Sequence, residues 1–497
     1  MERTLVLMLA LLGVPLLGAV IAGLARGRAT QVVAVGASLV TAILGIGLVV
    51  RVYGTRASFP LGGLPWLAGS TPSAAEGATG AGLFGLAIDP LSSIMVLVIT
   101  GIGFLVVLYS TEYLSPRNAE HPVREGYQRY YFWLLVFLAS MVGVALSPNL
   151  LQLFIFWEMT TLCSWALISQ SGQPAAIRAG FKALVMTHIG GFAFLFALLI
   201  LFAFTRSFEF SAVGKLAGGL KAGTFVLLLI AAWAKSAQVP FHTWLPEAME
   251  APTPVSAYLH AAAMVKAGVY LVARLVGSGW AVPHGLGLLI AVAAIVTMFM
   301  AVLAYFRQDD LKKLLAYSTI VHLGYVLVGI SLGVMGSRVG YQGAALHILC
   351  HGAAKATLFL GVGAIAYSAG TRRISELSGL ARALPLEAVA FMVGALAVTG
   401  VPPFSCFWSK VFIFVGALES PGGIVLLILL ATESIISFSW LLWVAQKVFL
   451  GRPSVAAATA VDPPWPMSAA LVVGIILCVV VPYIGLPLVK LLTPGGF

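Results

Sequence analysis

A chain of 497 residues in which 60% are apolar and only 9% charged cannot cover a soluble surface, which takes roughly 25% charged residues in globular domains. Its mean hydropathy of +1.03 sets most of the outer surface against lipid and excludes the roughly two or three soluble domains that such a length would otherwise suggest. The formal net charge of +11 forms no basic stripe interleaved with aromatics, which excludes a nucleic-acid face, and fits basic loops gathered on one side of a membrane.

Apolar runs of spanning length, about 20 residues each, begin near Thr4, Gln31, Leu83, Tyr130, Leu150, Ala183, Thr224, Val255, Gly285, Lys313, Gln342, Leu386, Gly423 and Met467. The pattern predicts an all-α membrane protein of about 14 transmembrane helices. The first run has only Arg3 as a positive leader, so it reads as a retained helix and not as a signal peptide. Val52 to Gly82, rich in Gly, Pro and Ser, reads as an external excursion. Asp89-Pro90 reads as the cap and first residue of the third helix. Turn clusters such as Ser147-Pro148-Asn149 and Gly451-Arg452-Pro453 separate later spans.

One set of loops, including Arg117, Arg307, Arg372 and Arg373, holds fifteen basic residues. The other set, with both termini, holds eight, among them Lys215 and Arg338. The richer set belongs in the cytoplasm. This predicts a multi-pass protein of a prokaryotic inner membrane with both termini periplasmic.

Two spans are visibly broken. The seventh carries Lys235-Ser236-Ala237-Gln238-Val239-Pro240, and the twelfth carries Thr399-Gly400-Val401-Pro402-Pro403 followed by Lys410. Proline removes a backbone donor, and such a break is tolerated in lipid only inside protein or beside water. Interrupted helices five spans apart are what an inverted-repeat transporter requires. The expected division is 1–129 for three helices and the external loop, 130–276 for repeat one, 285–450 for repeat two and 467–497 for the last helix. An odd number of crossings per repeat turns the second copy upside down.

Ionisable side chains at membrane depth are costly unless paired or hydrated. Glu158, mid-span five, has no neutralising neighbour in sequence, and its expected partner is Lys235 in a direct ion pair. Separating or joining such a pair changes its proton affinity, the elementary act of a pump. In span eleven, His347, His351 and Lys355 fall at i, i+4 and i+8 on one helical face and read as a stretch of proton wire. A zinc reading of His-x3-His is weakened by the ammonium one turn on. His260 and Lys266 stand six residues apart in span eight and should serve different neighbours. His322 reads equally as a core histidine or a relay member. His188, Lys410 and Glu433 complete the set. The alternative for all of them is a system of helix clamps. Glu247 and Glu250, beside the prolines after span seven, read as an entrance or as solvated charges. Cys163, Cys350, Cys406 and Cys478 show no paired spacing, which argues against a disulfide framework, an iron–sulfur site or zinc. There is no phosphate loop, nucleotide fingerprint or haem-attachment motif. No cofactor is therefore expected in this chain, and energy must come from an ion gradient or a partner.

The run Lys235-Ser236-Ala237-Gln238-Val239-Pro240-Phe241-His242-Thr243-Trp244-Leu245-Pro246 is followed by Ala251-Pro252-Thr253-Pro254 and by His260-Ala261-Ala262-Ala263-Met264-Val265-Lys266. These segments, with Asp310-Leu311-Lys312-Lys313 and Pro402-Pro403-Phe404, resemble the antiporter-like subunits of respiratory complex I, Mrp cation/proton antiporters and energy-converting hydrogenases. The likeness is nearest to the N-terminal part of the Mrp large subunit.

The resemblance implies fourteen helices around a central hydrophilic axis. It implies Glu158 and Lys235 as the coupling pair, Lys266 and His260 as the central relay, and His351 and Lys355 as its continuation. Lys410 is implied as the exit-side lysine, and Lys182 is similar to a further family lysine. Partners would be other membrane subunits of a redox-driven or Mrp-type complex moving protons or sodium, with no active site in this chain. The sequence stops soon after span fourteen, so the lateral helix of the largest complex I member and the extended half of the Mrp subunit are not expected. Two other readings stay open: a membrane partner of a carbon dioxide-hydrating or bicarbonate-accumulating zinc protein, and a non-conducting anchor.

Overall fold

In a computed structural model that describes residues 2–62 and 84–494, the apolar runs become α1 (Glu2–Leu24), α2 (Arg28–Arg51), α3 (Pro90–Tyr113), α4 (Tyr127–Leu146), α5 (Leu150–Ile168) and α6 (Pro174–Thr205). The interrupted middle follows as α7 (Gly218–Lys235), α8 (Thr253–Ala261) and α9 (Met264–Gly277). Then come α10 (His284–Tyr305), α11 (Leu311–Val334), α12 (Arg338–Ala369), α13 (Pro385–Thr399), α14 (Ser405–Leu418), α15 (Gly423–Phe449) and α16 (Trp465–Val489). Among the described residues, 13 helices are long and apolar enough to cross a membrane, with α8 and α9 counted as one. The shorter α13 and α14 together supply the fourteenth crossing, which agrees with the sequence count.

The expected external excursion is partly a β-hairpin. β1 (Ala57–Gly62) pairs antiparallel with β2 (Phe84–Ile88), and residues 63–83 of that segment lie outside the described residues. The third helix therefore starts at Pro90 and not near Leu83, because its first apolar residues alternate into a strand. Gln152 of α5 fastens this hairpin: its side-chain oxygen accepts from the Gly85 N–H at 2.9 Å and its amide donates to the Gly85 carbonyl at 2.8 Å.

Asp89 caps α3 in the way its Asp-Pro pair predicts. Its carboxylate accepts from the Ser92 N–H at 2.9 Å, and the Ser92 hydroxyl accepts from the Asp89 N–H at 2.8 Å. It has a second role that local sequence does not announce, an ion pair with Arg274 of α9. Arg274 also donates to the Tyr270 hydroxyl at 2.8 Å, and Tyr270 in turn donates to the Ala145 carbonyl. This buried knot ties α3, α4 and α9 together at one end of the fold.

The opposite end is tied by loops. Arg372 bonds Asp310 at 2.7 Å and Glu120 at 2.8 Å. Burial opposes its charge, but these two carboxylates hold its guanidinium above its ordinary range.

Three crossings are interrupted, one more than the prolines announce. After Lys235 the chain leaves the helix through Ala237 at φ 50. After Thr399 it leaves through Gly400 at φ 90, a left-handed cap that glycine adopts at no steric cost. The third break lies between α8 and α9, where the N–H groups of Ala262 and Ala263 both reach the Tyr258 carbonyl, at 3.1 and 2.9 Å. No proline or glycine marks it, so the sequence pattern passes it over. The sixth crossing begins at Pro174 and not at Ala183. Arg178 and Lys182 accordingly sit on the first turns of a helix, not in a loop.

α6 and α12 are both 32 residues long, about 48 Å at helical rise. α8–α9 and α12 run through the middle of the bundle, with their most apolar windows 100% buried, and α11 is 94% buried. The ionisable residues lie mostly on these inner helices.

Candidate functional site

The site is a row of lysines and histidines strung between the interrupted helices. Lys235 is the last residue of α7 and is fully buried. Its Nζ donates to the Trp157 carbonyl at 2.9 Å and to the Thr161 hydroxyl at 2.5 Å, and it stands 5.1 Å over the Trp157 ring. Trp157 and Thr161 are one turn apart and so present one face of α5 to α7.

The expected direct pair of Lys235 with Glu158 is not formed: among the described residues no carboxylate oxygen lies within 4.0 Å of this ammonium. Glu158 lies one residue round the helix and faces α6. Its Oε2 meets His188 Nδ1 at 2.7 Å. Room for it comes from Gly191, where a Cβ would stand 2.4 Å from Oε1. His188 was among the sequence candidates, but its service to Glu158 depends on the rotation of α5 against α6, which residue spacing does not contain. The pair is not deeply enclosed, since the His188 side chain is 48% exposed near the midpoint of α6.

Lys266 comes next, on the first turn of α9. Its Nζ donates to the Ile348 carbonyl of α12 at 2.6 Å. Gly352 makes this approach feasible, because a Cβ there would stand 2.7 Å from the ammonium. His260, on the other side of the α8–α9 break, turns to a different part of α12 and lies 4.7 Å from the Phe359 ring. Neither of its ring nitrogens has a hydrogen-bond partner among the described residues. The two residues do serve different neighbours, as their spacing suggested.

His347 and His351 stack at 6.0 Å along α12, and His322 of α11 packs against both, at 5.3 and 5.4 Å. His322 Nδ1 and His347 Nε2 are 3.1 Å apart, and His347 Nδ1 meets the Ser409 hydroxyl at 2.8 Å. His322, left open by the sequence, therefore sits inside a three-histidine cluster. Lys355, one turn beyond His351, donates to the Leu315 carbonyl of α11 at 3.1 Å.

Lys410 of α14 ends the row. It donates to the Thr399 carbonyl at 3.0 Å and the Ser434 hydroxyl at 2.9 Å, 4.4 Å over the Tyr325 ring. Glu433, beside Ser434 in α15, is buried and bonded to Ser437. Lys182 lies off the row, paired with Glu247 at 2.5 Å with both side chains substantially exposed, a contact of little energetic weight.

The chemistry available is proton exchange. Imidazoles donate and accept through different nitrogens, and amines and hydroxyls bridge between them. Among the described residues, no group of three or more His, Cys, Asp or Glu side chains has the geometry to hold a metal ion. The four cysteines are buried and unbridged.

Residues 147–437, more than half of the chain, match the family described as NADH:quinone oxidoreductase/Mrp antiporter, transmembrane. Residues 83–131 match the N-terminus of chain 5 of NADH-ubiquinone oxidoreductase, complex I. The chloroplast NAD(P)H-quinone oxidoreductase subunit 5 of Carthamus tinctorius is 38% identical over 347 residues, 66% of this chain and 45% of that protein. Its counterpart in Chaetosphaeridium globosum is 39% identical over 346 residues, 66% of this chain and 50% of that protein. The chain thus spans about half the length of the curated relatives it matches. Among solved structures, the Mrp complex from Dietzia sp. DQ12-45-1b is similar with a TM-score of 0.82 and 29% identity over 98% of this chain and 51% of that one. A chain of the membrane-bound sulfane sulfur reductase, an archaeal respiratory membrane complex, shares the fold with a TM-score of 0.81 at 23% identity, covering 98% and 96%.

Proposed function

On the premise that the chain belongs to the NADH:quinone oxidoreductase/Mrp antiporter family of membrane subunits, we propose that it moves protons through the membrane arm of a multisubunit complex. The observation that carries this reading is the enclosed row Lys235, Lys266, His351, His347, His322 and Lys410. Each member is bonded to a backbone carbonyl or hydroxyl or packed against the next ring, and none is fixed by a carboxylate within 4.0 Å. Clamps would pair opposite charges. This row instead leaves its basic groups free to gain and lose protons.

Glu158 and His188 lie at one end of the row, on an open face of α5 and α6. A carboxylate–imidazole contact whose imidazole is 48% exposed at mid-span is costly against lipid. We place a neighbouring membrane subunit on that face, where its charge would bear on Glu158 and through it on Lys235. The inverted five-helix repeats belong to the same reading, supported by the equal lengths of α6 and α12 and by interruptions in the crossings that contain α7 and α13. No coupling chemistry is assigned to this chain, so the driving force comes from the partner.

The purified chain alone in liposomes is therefore expected to show no coupled transport, whereas membrane vesicles carrying the whole complex acidify or alkalinise on energisation. A pH-sensitive dye reads both. Robust cation/proton exchange by the lone chain would overturn the partner requirement. Sodium is tested in the same vesicles: a proton flux that needs sodium on the opposite side makes it the exchanged ion.

The excess of basic residues in one set of loops supports a cytoplasmic Arg373 and an external Lys215, with both termini periplasmic. In intact cells, Lys215→Cys is expected to react with a membrane-impermeant thiol reagent and Arg373→Cys to stay unlabelled. The opposite pattern would invert the chain.

A further inference from the structure

Lys410 presents an unfinished account of charge. Its ammonium meets the Thr399 carbonyl, the Ser434 hydroxyl and the Tyr325 ring, all neutral. The helix facing it, α15, is largely open to the outside through Ile424, Val425, Ile428, Ile435 and Trp443. Its inward face carries Leu430, Glu433, Ser434 and Ser437, at i, i+3, i+4 and i+7, which form one stripe. In that stripe Tyr325 donates to the Leu430 carbonyl at 2.7 Å and meets Ser434 at 2.6 Å. Glu433 is 0% exposed. One of its oxygens accepts from Ser437, the other has no hydrogen-bond partner, and no lysine, arginine or histidine nitrogen lies within 4.0 Å of it among the described residues. A carboxyl so placed clamps nothing.

We propose that Glu433 is the acid with which Lys410 exchanges its proton, and that Ser437 and Tyr305 carry the proton between that carboxylate and α11. The inference rests on the reading of the chain as a proton carrier and extends it to a branch leaving the row. One proton passes from Nζ of Lys410 to a carboxylate oxygen of Glu433, the residue next to Ser434, whose hydroxyl holds Nζ at 2.9 Å. An ammonium and a carboxylate become an amine and a carboxylic acid, so the summed charge is unchanged.

The next step follows from counting hydrogens. The Ser437 hydroxyl lies against both Glu433 and, at 3.4 Å, the Tyr305 hydroxyl, but has one proton to give. While Glu433 is ionised, that proton points at the carboxylate. Once Glu433 is protonated, the acid is the donor, and Ser437 turns its own proton to Tyr305. Tyr305 ends α10 and is fully buried, and it gives its own proton on to Ser318 of α11, which lies beside its hydroxyl. Each oxygen gains and loses one proton, and only the charge moves.

Proton flux in vesicles carrying the complex tests this, with the amount of assembled complex measured for each variant. Glu433→Gln, which keeps shape and hydrogen bonding, is expected to lower flux by about a hundredfold, the scale of a lost proton-transfer group. Tyr305→Phe and Ser437→Ala remove a hydroxyl and no charge. Both should impair flux at normal assembly, and Ser437→Thr should restore most of it. Full flux in Glu433→Gln overturns the inference, as does equal flux in Ser437→Ala and Ser437→Thr. If Glu433→Gln fails to assemble, the hydroxyl variants decide. Lys235→Ala serves as the control. Lost flux there with full flux in the Glu433, Ser437 and Tyr305 variants overturns this branch and leaves proton transport standing, while full flux in all of them overturns both.

Discussion

Lys235→Ala is expected to abolish proton flux, by about a hundredfold or more, while the protein still folds and assembles. Among the described residues the lysine meets the Trp157 carbonyl and ring and the Thr161 hydroxyl, all neutral. Its removal therefore orphans no opposite charge. The Trp157 carbonyl keeps another acceptor role within α5, towards the hydroxyls of Thr160 and Thr161. A lost hydrogen bond of this kind costs about 1–3 kcal/mol, and removing a buried charge offsets part of it. A direct Glu158–Lys235 pair would behave otherwise. At 4 Å it would be coupled by about 4 kcal/mol at an effective dielectric of 20, and each single variant would lose assembly. The measured quantity is the coupling in a double-mutant cycle of Glu158→Gln and Lys235→Ala, read from thermal unfolding of the assembled complex. A small coupling with lost flux in Lys235→Ala is the expected result. A coupling of several kcal/mol would restore the direct pair, and normal flux in Lys235→Ala would remove the lysine from the mechanism.

The largest loss of stability is expected at Arg274. Its guanidinium and the Asp89 carboxylate are both buried and paired. Arg274→Met leaves the carboxylate without its counter-ion, which costs about 3–5 kcal/mol. Asp89→Asn removes the countercharge of the arginine, which keeps its bond to the Tyr270 hydroxyl, and keeps the α3 cap, because asparagine caps as well as aspartate. The double variant holds no isolated charge and should recover most of the loss. Thermal unfolding of the detergent-solubilised protein measures all three. A double variant no more stable than either single one would show that the knot matters for shape and not for charge balance.

The crossings were legible because lipid imposes a simple rule on sequence. Every backbone polar group must be satisfied within its own helix, so each span needs an uninterrupted apolar length, and proline or glycine stands where it stops. This is why α5 and α15 begin at the expected residues and why the breaks after Lys235 and Thr399 could be read. The interruption between α8 and α9 escaped notice because alanines fill it. It arises from shared hydrogen bonds to one carbonyl, which leave no mark on composition. The hairpin of β1 and β2 escaped for a related reason, since a strand partner lies far off in sequence.

The same division runs through the site. Sequence alone identified Lys235, Lys266, His347, His351, Lys355, Lys410, Glu158 and Glu433 as the groups to watch, because a titratable side chain inside an apolar span is costly wherever it points. It could also place His347, His351 and Lys355 on one face, since helical periodicity is local. Which groups touch was decided by the rotation and packing of different helices. Tertiary structure turned Glu158 to His188 and Lys235 to Thr161, joined His322 to His347, and set Arg274 against Asp89. Cost is a property of the residue, whereas partnership is a property of the packed bundle.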